Sequence, residues 1–475
     1  MLKTKIVCTL GPATDTEEMI TKMIKAGMNV ARLNFSHGTH EEHKAKIDAV
    51  KAARDKLGVP VAIMLDTKGP EIRLGTFRGG SATLETGSEF TLTARDVEGD
   101  EKGARITFAG LPVQVSEGTR ILLDDGNIEL TVKSAGDDEI VTTVTSGGVI
   151  KSGKGVNVPN VHLDMPHLSD RDRDDLLFGI ENDIDFVAAS FVRSAEDVTN
   201  MRKFIDYNGG HAIRIISKIE NSEGVRNFSE ILARSDGIMV ARGDMGVEIP
   251  FERLPGLQKR FIKECYRSGK MVITATQMLE SMISHPTPTR AEITDVANAV
   301  FDGTSAVMLS GETAVGEYPL RAIEVMAKVA EQAERDAFSM KSAAGSYVMD
   351  SEDITNAVCD AACTTARDLK ADAIVALTMT GRSARRMSKF RPSTPIVAAT
   401  PNVKTFHQLA LSWGVYPVLA RNQDDFDRLF RHAIDCAKQI DLVSDGDRVV
   451  IVGGIPLDTP GNTNIIKVET VNSGY

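Results

Sequence analysis

Two short apolar runs end abruptly in charge: I-I-S-K-I-E-N over residues 215–221 and D-G-I-M-V-A-R-G-D over residues 236–244. Buried parallel strands read this way when their carboxyl ends open into a site. Side chains alternate faces along a strand, so Lys218 and Glu220 point together, and so do Arg242 and Asp244. Two cations and two carboxylates are thereby expected to converge. Buried charge is costly unless it is paired or binds a metal, so such a cluster is either a pair of salt bridges or a working site.

The same pattern recurs upstream. The run A-R-L-N-F-S-H-G places Arg32, Asn34 and Ser36 on one face, and L-D-T-K-G-P-E-I-R brings Asp66 and Thr67 beside them, with Glu71 and Arg73 just beyond. One carboxylate among the neutral oxygens of Asn, Ser and Thr suits a large, weakly held hard cation, although polar strand ends also serve as structural caps. Glu220 and Asp244 are few enough ligands for Mg²⁺ to keep water and substrate oxygens. Lys218 and Arg32 facing that ion imply an anionic substrate. A metal, cations and a cover suit phosphoryl transfer, where positioning and charge neutralisation do most of the catalysis. The chain has no G-x-x-x-x-G-K-[ST] and no kinase-type glycine loop, so a nucleotide must be held by another device.

Apolar strand candidates alternate with helix-period segments, which predicts βα units and a parallel sheet. The strands expected are Lys5–Leu10, Asn29–Phe35, Val61–Asp66, Asp185–Phe191, Ile213–Glu220, Gly237–Asp244, Met271–Gln277 and Ser305–Ser310. Asp15 with Glu18, and Ser169 with its acidic first turn, read as helix caps. Eight such units predict a (β/α)8 barrel, an α/β fold whose active site lies where the strands end. Between Gly69 and Pro166 short alternating runs such as Ser88–Thr93, Arg120–Leu123 and Glu139–Thr145 predict an all-β insertion of roughly a hundred residues. It leaves the barrel after the third strand, at the catalytic face, and reads as a lid. Beyond about residue 344 come a helix, Ile354–Leu369, and strands at Ala373–Leu377, Pro395–Ala399, Val415–Leu419, Arg448–Val452 and Asn464–Glu469, the pattern of an open α/β domain. The expected division is 1–69 and 167–344 for the barrel, 70–166 for the lid and 345–475 for the C-terminal domain.

A chain of 475 residues is too long for one core, so several domains are required. Its net charge of −11 argues against non-specific nucleic-acid binding without barring anionic substrates. The first residues enter a strand at once, with no signal peptide, and no apolar stretch is long enough to span a bilayer, so a cytoplasmic protein is expected. Five cysteines without C-x-x-C spacing argue against a disulfide framework or a zinc cluster.

The motifs K-I-V-C-T-L-G-P, M-N-V-A-R-L-N-F-S-H-G, L-D-T-K-G-P-E-I-R, G-K-G-V-N-V-P, I-I-S-K-I-E-N, D-G-I-M-V-A-R-G-D-M-G-V-E, I-T-A-T-Q-M-L-E-S-M and A-V-M-L-S-G-E-T-A resemble those of the pyruvate kinases, in family order. The resemblance implies phosphoryl transfer from phosphoenolpyruvate to ADP, giving pyruvate and ATP through an Mg²⁺-stabilised enolate, the last step of glycolysis. By that resemblance Lys218 stabilises charge on the phosphoryl group and enolate, Glu220 and Asp244 bind Mg²⁺ (Mn²⁺ as a substitute), and Arg32 holds the phosphate. Gly243 and Thr276 contact the substrate carboxylate, and Asn34, Ser36, Asp66 and Thr67 form the K⁺ site. Asn34, His37, Arg73 and Lys154 fall on the nucleotide side. Glu71 stands where K⁺-independent members carry Lys, which places this chain with the K⁺-dependent group. A homotetramer is implied by the family. For the proton that converts enolate to pyruvate, a water near Thr276 relayed towards Ser310 is the candidate route.

In the C-terminal domain A-L-T-M-T-G-R-S-A-R-R runs from a strand into a helix N-terminus, where Thr378, Thr380, Gly381, Arg382 and Ser383 can form a phosphate cradle or an ordinary capped turn. The resemblance favours an allosteric sugar-phosphate site. Its companion loop, Gly453 to Asn464, lacks the basic residue of some fructose-bisphosphate-activated relatives, leaving AMP or ribose 5-phosphate open. Two rival readings are a metal-dependent barrel lyase acting on a pyruvate enolate, with or without a Schiff base at Lys218, and a sugar-phosphate sensor with an inert barrel. Lys154, His37 and Arg73 beside the mouth argue against the first, and the full set Arg32, Lys218, Glu220 and Asp244 against the second.

Overall fold

The computed structural model describes residues 1–340, 353–423, 425–456 and 462–472. Eight parallel strands close into a barrel in which neighbours follow chain order: Lys5–Thr9, Val30–Asn34, Ala62–Asp66, Phe186–Ala189, Arg214–Ile219, Gly237–Ala241, Met271–Ala275 and Ala306–Leu309. Their alternation makes two cores. Ile6, Cys8, Leu33 and Ile63 face the surrounding helices, whereas Val7, Val30, Met64, Ile216, Met239 and Ile273 fill the lumen. Two residues on from those lumen residues the same faces present Arg32, Asp66 and Lys218, so the apolar stack is capped by charge at the carboxyl end. At the other end Leu411 of the C-terminal domain plugs the lumen.

The strands are shorter at their ends than the sequence suggests. The largest difference is at 242–244, where a helix, Arg242–Glu248, replaces the last turn of strand. The first helix, Glu17–Ala26, is capped by Thr16 rather than Asp15, its side chain accepting from the Met19 N–H at 3.2 Å. Ser169 caps Asp170–Glu181 in a reciprocal box with Asp172.

The chain leaves the barrel after its third strand and builds a seven-stranded sheet in the order Ile72–Arg73, Gly155–Asn157, Arg120–Leu123, Ile128–Ala135, Glu139–Ser146, Glu89–Thr93, Gly103–Arg105. Its core, including Leu84, Phe90, Leu92, Ile121 and Leu130, is separate from that of the barrel. Both ends of the excursion are tied to one carboxylate: Asp172 accepts from the Gly69 N–H at 3.0 Å and from the Ser169 N–H at 3.1 Å.

Among the described residues the C-terminal sheet has five strands, ordered Val415–Leu419, Ile396–Thr400, Ala373–Leu377, Arg448–Gly453, Ile465–Thr470, and only the last is antiparallel. Helix Ile354–Leu369 lies as the sequence predicts. The expected boundary at residue 344 and the centre of the companion loop, 457–461, lie outside the described residues. Buried lysines at and just before the first strand fasten this domain beneath the barrel: Lys5 Nζ donates to the Val415 carbonyl at 2.8 Å and Lys3 Nζ to the Pro392 carbonyl at 3.0 Å.

Candidate active site

Asp66 lies at the centre of the barrel mouth, fully buried. Arg32 Nε donates to Oδ2 at 2.6 Å, and Lys218 Nζ to Oδ1 at 3.0 Å. The Lys218 ammonium also stands 3.0 Å from Glu220 Oε1, so it bridges two carboxylates. Arg32 Nη1 donates to the Thr9 hydroxyl at 2.9 Å. These contacts unite four of the residues singled out by spacing, each under a tenth exposed.

Burial pulls the Lys218 ammonium down, but Asp66 and Glu220 outweigh it and hold the charge above the ordinary lysine range. Burial lifts Asp66 too, yet Arg32 and Lys218 carry it below the ordinary carboxyl value. Glu220 is pushed up to about 7 by burial, with Asp244 adding to the rise against the pull of Lys218. A carboxyl raised beside a second carboxylate is a place where a divalent cation relieves both burial and repulsion.

Asn34 is in register with Asp66 on the neighbouring strand, and its Oδ1 accepts from the Ser36 N–H at 3.2 Å. Thr67 is buried, its hydroxyl accepting from the Ser190 N–H at 3.1 Å. Thr276 has φ +67, unusual for a β-branched residue, and its hydroxyl accepts from the Gly243 N–H at 2.8 Å. The Ser310 hydroxyl is buried without a hydrogen-bond partner among the described residues.

Arg242 does not join the charge cluster as alternation predicts. Because the strand ends at Ala241, its guanidinium turns to Asp295, at 2.6 Å, and to the Thr276 and Gln277 carbonyls, at 2.6 and 3.1 Å. Asp244 stays near the cluster, where its charge acts on Lys218 and Glu220.

A cleft of about 240 Å³ separates lid and mouth, lined by Glu71, Arg73, Asp125, Lys154, Phe191 and Asp244 among others. Arg73 pairs with Glu71 at 2.8 Å, and Lys154 with Asp124 at 2.7 Å. His37 is exposed on the loop after the second strand and does not line this cleft. Spacing also missed Ser190, Phe191 and Asp125. Ser190 Oγ lies 2.8 Å from Lys218 Nζ, and the Phe191 N–H donates to Glu220 Oε2 at 2.6 Å. Neither Ser190 nor Phe191 carries charge, so residue type at the end of A-A-S-F gives no signal for them.

In the C-terminal domain the Thr378 hydroxyl accepts from the Gly381 N–H at 3.0 Å, and Ser383 is buried at the start of helix Arg382–Lys389. Thr380 is exposed and its carbonyl accepts from Arg385 Nη2 at 2.6 Å; Arg382 reaches Asp353 at 3.4 Å.

Fold and site together are those of a (β/α)8 barrel with a buried charge cluster where the active site of such a barrel enzyme lies. Residues 1–323 match the family described as pyruvate kinase, barrel domain, and residues 356–469 match pyruvate kinase, alpha/beta domain. The chain is 48% identical over 472 residues to a pyruvate kinase of Clostridium acetobutylicum, covering 99% of this chain and 100% of that one. It is 48% identical to a pyruvate kinase of Geobacillus stearothermophilus and 46% identical to one of Staphylococcus aureus, covering 99% of this chain and 80% and 81% of theirs. The chain belongs to the pyruvate kinase family and is a phosphotransferase.

Proposed function

We propose that the barrel mouth carries out phosphoryl transfer from phosphoenolpyruvate to ADP with the residues described above in distinct roles. The observation that carries this reading is the ammonium of Lys218 held between Asp66 and Glu220, with Arg32 on the far oxygen of Asp66, and with Asp244, whose charge acts on Lys218 and Glu220, lining the cleft beneath the lid. Lys218 and Arg32 face the transferring phosphoryl group and stabilise the charge that develops on it. Gly243 and Thr276 hold the substrate carboxylate, and Arg73 and Lys154, with Asn34 and His37, serve the nucleotide.

Glu220 and Asp244 fit Mg²⁺ or Mn²⁺, since two carboxylates leave coordination sites for substrate and water. Asn34, Ser36, Asp66 and Thr67 offer one charge and neutral oxygens, the donor set for K⁺. The bound ions would supply charge neutralisation for phosphate and for the enolate left after transfer. Proton delivery to that enolate is assigned to a water near Thr276, with the unpartnered Ser310 hydroxyl behind it.

The reading extends to the whole chain: barrel 1–69 and 167–344, lid 70–166, and a C-terminal domain 345–475. In that last part Thr378, Thr380, Gly381, Arg382 and Ser383 cradle the phosphate of an activating sugar phosphate or AMP. A homotetramer in the cytoplasm completes it, in keeping with a glycolytic reaction.

Steady-state pyruvate formation with Mg²⁺, with and without K⁺, and with fructose 1,6-bisphosphate, AMP or ribose 5-phosphate, tests each part. Turnover that needs K⁺ supports the Asp66 site, and the effector that removes sigmoidality names the cradle's ligand. Lys218→Met is expected to retain Mn²⁺ binding with turnover reduced at least about a hundredfold; a variant above a tenth of the wild-type rate removes Lys218 from its role.

A further inference from the structure

Ser190 directly follows the barrel strand Phe186–Ala189, whose end carries no charge. It is 1% exposed. Its hydroxyl lies 2.8 Å from Lys218 Nζ, 2.6 Å from the Thr67 carbonyl oxygen and 3.2 Å from Asp66 Oδ1. An ammonium only donates and a hydroxyl has a single proton, so Oγ accepts from Lys218 and gives its proton to the carbonyl of Thr67, the nearer acceptor. The backbone of Ser190 is held at both ends. Its N–H donates to the Thr67 hydroxyl at 3.1 Å, and its carbonyl accepts from His167 Nε2 at 3.0 Å. Gly69 presses so close that a Cβ there would stand 2.9 Å from Ser190 Cβ.

The other two partners of Lys218, Asp66 and Glu220, are carboxylates that the proposed function gives to metal ions. An ion on either would draw on the lone pairs that accept from the ammonium. Ser190 is outside both ligand sets and carries no charge. We propose that Ser190 is a positioning residue for Lys218, the neutral acceptor that keeps the ammonium aimed into the mouth when Asp66 and Glu220 are engaged by metal ions. The inference rests on the reading of this site as a metal-dependent phosphoryl-transfer centre. A neutral acceptor orients a cation without cancelling it, and transition-state stabilisation needs that charge free and fixed in direction. Gly69 and His167 are the barrel residues on either side of the lid insertion, so the residue whose hydroxyl meets Lys218 also touches both ends of that insertion.

The test is Ser190→Ala, assayed with Ser190→Thr beside the wild type. Removal of the hydroxyl is expected to lower kcat by at least about tenfold while KM for phosphoenolpyruvate stays within about threefold. The Mn²⁺ dissociation constant, read by electron paramagnetic resonance without turnover, is expected to stay within about twofold. Ser190→Thr, which restores the acceptor, is expected to recover most of kcat. A kcat for Ser190→Ala reduced by less than about tenfold overturns the proposal, as does a loss matched by an equal weakening of Mn²⁺ binding. Should Ser190→Ala fail to fold, Ser190→Cys, which fills the site with a poor acceptor, is held to the same threshold. An inactive wild type would sink the parent reading, whereas active wild type with active Ser190→Ala sinks this inference alone.

Discussion

The guanidinium of Arg242 braces the backbone of Thr276, its Nη2 lying 2.6 Å from the Thr276 carbonyl oxygen while the next residue, Gly243, donates its N–H to the Thr276 hydroxyl. Thr276 and Gln277 both hold positive φ, +67 and +54, a conformation that surrounding structure must enforce. The fork of Arg242 reaches both of their carbonyls and is itself anchored on Asp295. Arg242→Lys keeps the charge and loses the fork, so kcat is expected to fall by about ten- to a hundredfold. Kinetics of Arg242→Lys beside Thr276→Ser check this, and near-wild-type kcat in the lysine variant would remove the brace.

Divalent affinity should depend on pH through Glu220. Its carboxyl is pushed up to about 7, chiefly by burial, so below that value a proton competes with the cation. Between the ordinary carboxyl value and about 7 the folded chain binds more protons than the unfolded one, so ionisation of Glu220 costs stability as pH rises through this window. Mn²⁺ affinity is expected to weaken by up to about tenfold per pH unit below pH 7 and to level off above it, in titrations without substrate.

Gly69 has φ +72 and no room for a side chain, its Cβ position lying 3.1 Å from the Ser190 carbonyl oxygen. Gly69→Ala is expected to cost about 1–3 kcal/mol of stability and to lower kcat, because relief of the clash displaces Ser190. Thermal unfolding and steady-state kinetics read the two effects separately. Unchanged values for both would show that the chain at Gly69 yields without disturbing the site.

Acid should loosen the contact between barrel and C-terminal domain. Burial lowers His407 to about 3, with Arg54 and Lys404 adding to the effect. The unfolded chain takes up this proton near 6.5 and the folded chain only near 3, so stability is full above about 6.5 and is lost as pH falls between them. One proton contributes at most about 1.4 kcal/mol per pH unit. His407→Gln is expected to flatten the dependence between pH 4 and 6 in denaturant unfolding, and an unaltered slope would assign the acid sensitivity elsewhere.

The parts of the site that were legible in the sequence are those built by strand alternation. Arg32, Asp66, Lys218 and Glu220 lie at regular positions on strands that run straight to the mouth, so period two was enough to bring them together. Alternation failed at Arg242 because the backbone there turns into a helix one residue after Ala241, and no proline or glycine cluster announces the change before it. Ser190 and Phe191 stayed hidden for another reason: Ser190 carries no charge, and Phe191 acts through its backbone N–H, which residue type does not reveal. The cap at Thr16 instead of Asp15 is the ordinary uncertainty of adjacent capping residues.

The chain enters and leaves the lid at nearly one point, with Gly69 and Ser169 both bonded to Asp172. Strand Ala62–Asp66 nonetheless pairs directly with Phe186–Ala189, its neighbour across the excursion. For assembly of the barrel, the lid is therefore a closed loop whose entropy cost grows only with the logarithm of its length. Such an insertion can lengthen, shorten or change its surface over evolutionary time while the barrel seam beneath it stays the same. The lid wall of the cleft can thus be remodelled independently of its barrel wall.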